Sequence, residues 1–131
     1  MPATPVPTPS APPVAGPYSP AVRAGDWILL AGQVGIDPAS GALVPGGATA
    51  EVDQVLANLA AVLADCGAGW ADVAKVTIFL AGSMERFAAV NERYAAALGD
   101  HRPARSTVAV AALPLAAAVE IEALVFLPEK E

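Results

Sequence analysis

Between Val52 and Cys66 the apolar residues Val52, Val55, Leu56, Leu59, Val62, Leu63 and Cys66 recur at steps of three and four. From Val73 to Leu80 the period changes, and Lys75, Thr77 and Phe79 alternate with Val76, Ile78 and Leu80. The first spacing lays one apolar stripe along a helix. The second sends successive side chains to opposite faces of a strand. A chain that changes period over so short a span must lay helix on sheet, which points to an α+β or βαβ-type layout.

The remaining segments extend that layout. Thr49 is placed to cap the first helix, with Glu51 and Asp53 near its positive end, and Gly67 to stop it. Trp27–Ala31, bounded by Gly25-Asp26 and Gly32, reads as a buried strand. Residues 35–47 hold Asp37-Pro38 and Pro45-Gly46-Gly47 as turn signals, which makes this stretch a hairpin or loop with Ala42–Val44 as a short strand. Ser83 is placed to cap a second helix running to about Leu98, with Phe87, Val90, Tyr94 and Leu98 on one side and Gly99 as its stop. Ser106–Ala111 and Val119–Leu127 are two further strands. The expected architecture is a mixed sheet with two helices on one face. The first fifteen residues carry six of the thirteen prolines and show no periodicity. Residues 1–15 are therefore expected as a disordered, extended Pro/Ala-rich tail, and residues 16–131 as a single domain.

Two helices on one face leave the other face bare. The strands contain almost no charge, and charged residues are only 15% of the chain against a typical ~25%. A bare, uncharged sheet face calls for cover by another subunit. With 55% apolar residues, disorder of the whole chain is excluded. No stretch approaches the ~18 apolar residues of a membrane span. A net charge of -6 argues against a general nucleic-acid binder, but one well-placed arginine is enough for a small anion. The single Cys66 fits a reducing compartment, and no secretory signal is evident, so the expected location is cytoplasmic.

Few residues carry chemistry. One histidine (His101) and one cysteine leave no His/Cys metal set and no Cys–His pair within one chain. Cys66 lies on the apolar stripe and reads as a small buried hydrophobe. His101 falls just past a helix end. No P-loop occurs, and Gly32-Gln-Val-Gly35 is only part of a dinucleotide fingerprint. Arg105 differs, because it opens a strand in which all that follows is small or apolar. Its guanidinium must meet an anion, in a ligand or in an acid on the neighbouring strand. Glu120 and Glu122 share one strand face opposite Val119, Ile121, Ala123 and Val125. They are an acid/base pair, an exposed face, or partners of Arg105. Tyr18, Gln33 and Asn91 are the other polar candidates, and Asn91, beside Phe87, Val90 and Tyr94, needs a hydrogen-bond partner.

Six segments occur in order: Gly16-Pro-Tyr-Ser-Pro-Ala21, Ile28-Leu-Leu-Ala-Gly-Gln33, Gly35-Ile-Asp-Pro38, Phe87-Ala-Ala-Val-Asn-Glu-Arg-Tyr94, Pro103-Ala-Arg-Ser-Thr107 and Glu120-Ile-Glu-Ala123. Together they resemble the reactive intermediate deaminase family (RidA or YjgF), over residues 16 to 127. The resemblance implies a fold like that of bacillary chorismate mutase, a homotrimer with active sites in clefts between subunits, and hydrolysis of reactive imines such as 2-aminoacrylate to 2-keto acids and ammonia. It implies no cofactor and no metal. By the same resemblance Arg105 anchors the substrate carboxylate and Glu120 positions water and handles protons. Tyr18 and Asn91 border the substrate, and the backbone at Gly32 and Thr107 supplies hydrogen bonds. Members often carry Ser or Thr before the Gly-Gln pair, where this chain has Ala31, a departure that bears on substrate range more than on reaction type. The alternatives are a pathway-specific member for a larger imine, aminomuconate-like or biosynthetic, and a non-catalytic trimer that binds carboxylate metabolites.

Overall fold

A computed structural model describes residues 2–130. Met1, first of the expected tail, and Glu131, last of the expected domain, lie outside the described residues. The six strands are β1 (Thr4–Pro5), β2 (Ala21–Ala24), β3 (Trp27–Gln33), β4 (Val73–Ala81), β5 (Ala104–Val110) and β6 (Val119–Phe126). The helices are α1 (Gly47–Asp65) and α2 (Phe87–Leu98). The strands form one mixed sheet in the order β1-β2-β3-β6-β4-β5. Among the described residues only β4 and β5 run parallel, and α2 is the crossover such a pair requires.

Both helices pack on one face. Val52, Val55, Leu59, Val62 and Leu63 of α1 and Val90, Tyr94 and Leu98 of α2 are buried against Ile28, Leu30, Val76, Ile78, Leu80, Val119, Ile121 and Val125 of the sheet. The expected α+β fold is the observed one. The helix-free face exposes Trp27, Leu29, Val108, Leu124 and Phe126, with Trp27 and Phe126 edge to face at 5.1 Å.

Boundaries differ from expectation for local reasons. Gly46 in the left-handed region caps α1, so the helix starts before Thr49. Glu51 turns inward, and its Oε1 accepts from Ala118 N at 2.8 Å instead of lying at the helix end. Ser83 accepts from Glu85 N at 3.2 Å within a turn, and α2 begins only at Phe87. Ala42–Val44 forms no strand but one isolated bridge, Ile36 to Leu43. The buried amide of Asn58 holds that loop, its Nδ2 donating to Ile36 O at 2.9 Å. The strand β2 escaped the sequence reading, although Gly25-Asp26 is the two-residue turn joining it to β3.

The disordered tail is corrected as well. Thr4 and Pro5 pair with Arg23 and Val22 of β2. Pro5 and Pro7 have no N–H to give, and Val6 N between them donates to Ala21 O at 3.0 Å. Alternating prolines thus suit an outermost strand that pairs on one side only. Farther along, Asp65 accepts from Ser10 N at 2.8 Å and from Ser10 Oγ at 2.9 Å, and Pro12 is buried. No helix is long and apolar enough to cross a membrane among the described residues.

Docking of the tail can be read from amide hydrogen exchange. The Val6 amide is expected to be protected, and Asp65→Ala to speed exchange at Ser10 by about tenfold. Random-coil exchange at Val6 in the unaltered protein would show the tail undocked.

Candidate active site

The parallel pairing of β5 with β4 sets Arg105 beside Val76 and Thr107 beside Ile78, on the face that carries the helices. There α2 receives the guanidinium. Phe87, Asn91 and Tyr94 follow at steps of four and three, so one side of α2 presents all three. Arg105 Nη1 donates to Asn91 Oδ1 at 2.7 Å, and its guanidinium carbon lies 5.0 Å from the Tyr94 ring centre and 5.6 Å from that of Phe87. Amide and rings hold the cation without neutralising it. The alternative of a structural pair with an acid on the next strand is not what forms: among the described residues the ion pairs are Arg23–Glu129 and Arg93–Asp53. Asn91 thereby has the partner its position demanded.

A cavity of about 410 Å³ opens beside this cation, lined by Asn91, Tyr94, Ala95, Arg102, Pro103 and Arg105. The Tyr94 hydroxyl and Thr107 Oγ1 are buried with no hydrogen-bond partner among the described residues. Burial holds the Tyr94 phenol above its ordinary value, offset in part by Arg105 and then Arg102. Tyr94, Phe87 and Arg102 were missed as site residues from sequence, although the helical spacing of Phe87, Asn91 and Tyr94 carried the signal.

Glu120 lies elsewhere. It pairs with Phe79 across β4 and points to the helix-free face with Glu122. The pairing of β3 with β6 slips between Leu30 and Gln33, leaving Ala31 and Gly32 as a bulge. At that bulge the Glu120 side chain closes over Gly32. A Cβ at Gly32 would lie 2.5 Å from Glu120 Oε2 and 2.8 Å from its Cδ, so any side chain there would have to push the Glu120 carboxylate aside. Ala31 N donates to Pro20 O at 2.9 Å and ties the loop bearing the exposed Tyr18 ring to the bulge. Burial raises the Glu120 carboxyl above its ordinary value, and the charge of Glu122 raises it further.

The predicted residues therefore form two groups. Arg105 and Asn91 meet on the helix face, which Thr107 shares two residues along β5. Glu120, Gly32 and Ala31 meet on the bare face, with the Tyr18 loop tied to them. Glu120 and Glu122 are not partners of Arg105 within one chain, because the sheet stands between them. His101 ties α2 to β4, its Nε2 donating to Val73 O at 2.8 Å. Cys66 is half-buried beside the core, and burial pushes its thiol up.

Neutralising Glu122 tests the electrostatics. Glu122→Gln removes a like charge and is expected to bring the Glu120 midpoint down toward 4.5, read from its side-chain carboxyl carbon by NMR. The linkage has a definite sign. A carboxyl whose folded pKa is raised favours the folded state while protonated, and that contribution is lost as pH rises through the folded value. Glu120→Gln should therefore leave the melting temperature at pH 7 unchanged or higher, with the difference shrinking as pH falls.

The family described as Endoribonuclease L-PSP matches residues 8–127. The mouse protein named 2-iminobutanoate/2-iminopropanoate deaminase is 46% identical over 117 residues, 89% of this chain and 86% of its own. A RutC family protein of Pyrococcus horikoshii is 43% identical over 119 residues, 91% of this chain and 94% of its own. The crystal structure of RidA from the Antarctic bacterium Psychrobacter superposes with a TM-score of 0.88 at 37% identity, covering 93% of this chain and 98% of that one. Fold, motifs and similarity along nearly the whole domain agree: the chain belongs to the Endoribonuclease L-PSP family, which is the YjgF/RidA family its motifs resemble.

Proposed function

We propose that this protein is an enamine/imine deaminase, a hydrolase that converts reactive 2-imino acids such as those derived from 2-aminoacrylate into 2-keto acids and ammonia. The observation that carries the reading is Arg105: a guanidinium facing a cavity with an amide and two rings around it and no carboxylate. Such a group is built to receive the carboxylate of a ligand in two-point fashion. The mouse relative's name states the same reaction class.

The chemistry follows from the two groups. Arg105 fixes the carboxylate and with it the adjacent C=N carbon. Glu120, made more basic by burial and by Glu122, takes a proton from water as the water oxygen bonds to that carbon. The C=N π pair moves to nitrogen, which is protonated. The C–N bond then breaks, ammonia leaves, and the hydroxyl loses its proton to become the keto oxygen. Water and imine are consumed one for one.

For these roles to meet, Arg105 of one copy must face Glu120 of another. We therefore extend the proposal to a homotrimer whose sites lie between subunits. The exposed Trp27, Leu29, Leu124 and Phe126 on the bare face support this, since so much apolar side chain on one side favours self-association. RNA is disfavoured as a substrate by the net charge of -6.

The test is a coupled assay in which a dehydratase supplies 2-aminoacrylate and pyruvate is followed. The protein is expected to accelerate pyruvate formation, and Arg105→Ala to lose about a hundredfold or more in kcat/KM. Glu120→Gln should cost far more than Glu122→Gln. No acceleration by the unaltered protein would overturn the reading. Co-expression of Arg105→Ala with Glu120→Gln chains should restore activity to about a quarter of the sites, as equal mixing around a ring requires. Activity no higher than the separate variants would place both groups in one subunit's site.

A further inference from the structure

Arg105 is one of two guanidinium groups lining the 410 Å³ cavity; Arg102 is the other. The Arg102 Nη1 donates to the backbone carbonyls of Gly99 and His101. These are neutral acceptors, which orient the group and leave its charge intact. Among the described residues neither arginine is in an ion pair, and no Asp or Glu lines the cavity. The remaining lining adds donors rather than negative charge, since Tyr94 is there with its hydroxyl unpartnered. Two like charges facing one space repel each other. Within one chain's own lining, a ligand with a single carboxylate answers one of them and leaves the other without an anion. The cavity also falls in the ~300–1,000 Å³ range of ligand sites, well beyond the needs of a three-carbon imine.

We propose that Arg102 is a specificity-determining residue that binds a second anionic group, so that this site takes dicarboxylic imino acids, the 2-iminosuccinate and 2-iminoglutarate class. Arg105 holds the carboxylate next to the imine, and Arg102, three residues upstream at the mouth of β5, holds the distal one. The placement matches the exposure of the two groups. Arg105 is half-buried under α2, where the reacting end must be fixed, and Arg102 is exposed at the rim, where a longer substrate ends. The inference rests on the deaminase reading for turnover, but the binding preference stands on the cavity itself.

The experiment has two arms. Oxidases acting on L-alanine and L-glutamate supply 2-iminopropanoate and 2-iminoglutarate, and hydrolysis is followed against trapping by semicarbazide. The kcat/KM ratio of 2-iminoglutarate to 2-iminopropanoate is expected at or above one. Arg102→Gln is expected to lower that ratio by about fivefold, mainly through KM, and Arg102→Lys to restore part of it. A ratio unmoved by Arg102→Gln overturns the inference while the deaminase reading stands. Calorimetry with 2-oxoglutarate and 2-oxobutanoate is the second arm. Tighter binding of 2-oxoglutarate, lost in Arg102→Gln, upholds the second anion site even if neither imine is hydrolysed, an outcome that would overturn the deaminase reading alone. Equal binding of both keto acids overturns the site.

Discussion

The architecture depends on the alternation of β6. This strand lies between β3 and β4, so both its edges are paired and its register is held twice. Val119, Ile121, Ala123 and Val125 enter the core under the helices, and Glu120, Glu122, Leu124 and Phe126 take the other face. A slip of one residue would put two carboxylates into that core and expose four apolar side chains, which no rearrangement of the helices could offset. The same alternation that builds the core therefore decides which face carries Glu120, the proposed acid. Glu51 adds a fixed point, since its carboxylate holds Ala118 N at 2.8 Å where the strand begins.

The other half of the site is set by the crossover. Because β4 and β5 are parallel, the chain must pass over the sheet between them, and it does so as α2. Arg105 opens β5 directly beneath α2 and meets Asn91 and the aromatic rings there. A guanidinium in that position has no ion-pair partner among the described residues and loses part of its water, so the carboxylate of the proposed substrate would bind it more strongly than at an open surface. Gly32 plays the matching part at Glu120, where the bulge and the missing Cβ let the carboxyl fold down onto β3. Withdrawal from water raises the proton affinity of that carboxyl, which is the property a base needs.

The sequence carried the fold wherever a period ran long enough. The stripe on α1 and the alternation of β4 and β6 appear in the structure as read, and so does the shared face of Glu120 and Glu122. Short or irregular pieces were less legible. The strand β2 is only four residues and includes Arg23, so it has no pattern of its own and exists because the Gly25-Asp26 turn folds it onto β3. The tail read as disordered because proline composition carries no information about an edge strand that lacks a second neighbour. Thr49 lost the cap to Gly46 because a left-handed glycine closes the turn one residue before α1 begins. In the site, Arg105 stood out as a cation that needs an anion, with a ligand and a neighbouring-strand acid both open. Its separation from Glu120 was implicit in the strand faces, but it became visible only once the register joined Arg105 to Val76 and Glu120 to Phe79.

That separation ties assembly to chemistry in the proposed trimer. Glu120 shares its face with Trp27, Leu29, Leu124 and Phe126, so a second copy that covers the apolar residues also takes water from the carboxyl. Desolvation alone would drive Glu120 toward its neutral form and make its ionisation oppose association. A covering copy that brings Arg105 reverses the sign, because a guanidinium near the carboxyl favours the charged form. The unpaired cation on one face and the carboxyl of raised proton affinity on the other would then be complementary. Each is costly in the separate chain, and their approach across the proposed interface would lower both costs. In that proposed assembly, carboxylate binding by Arg105 would weaken the pairing and free Glu120 to hold a proton again. By this linkage, substrate arrival would itself adjust the base for the step that follows.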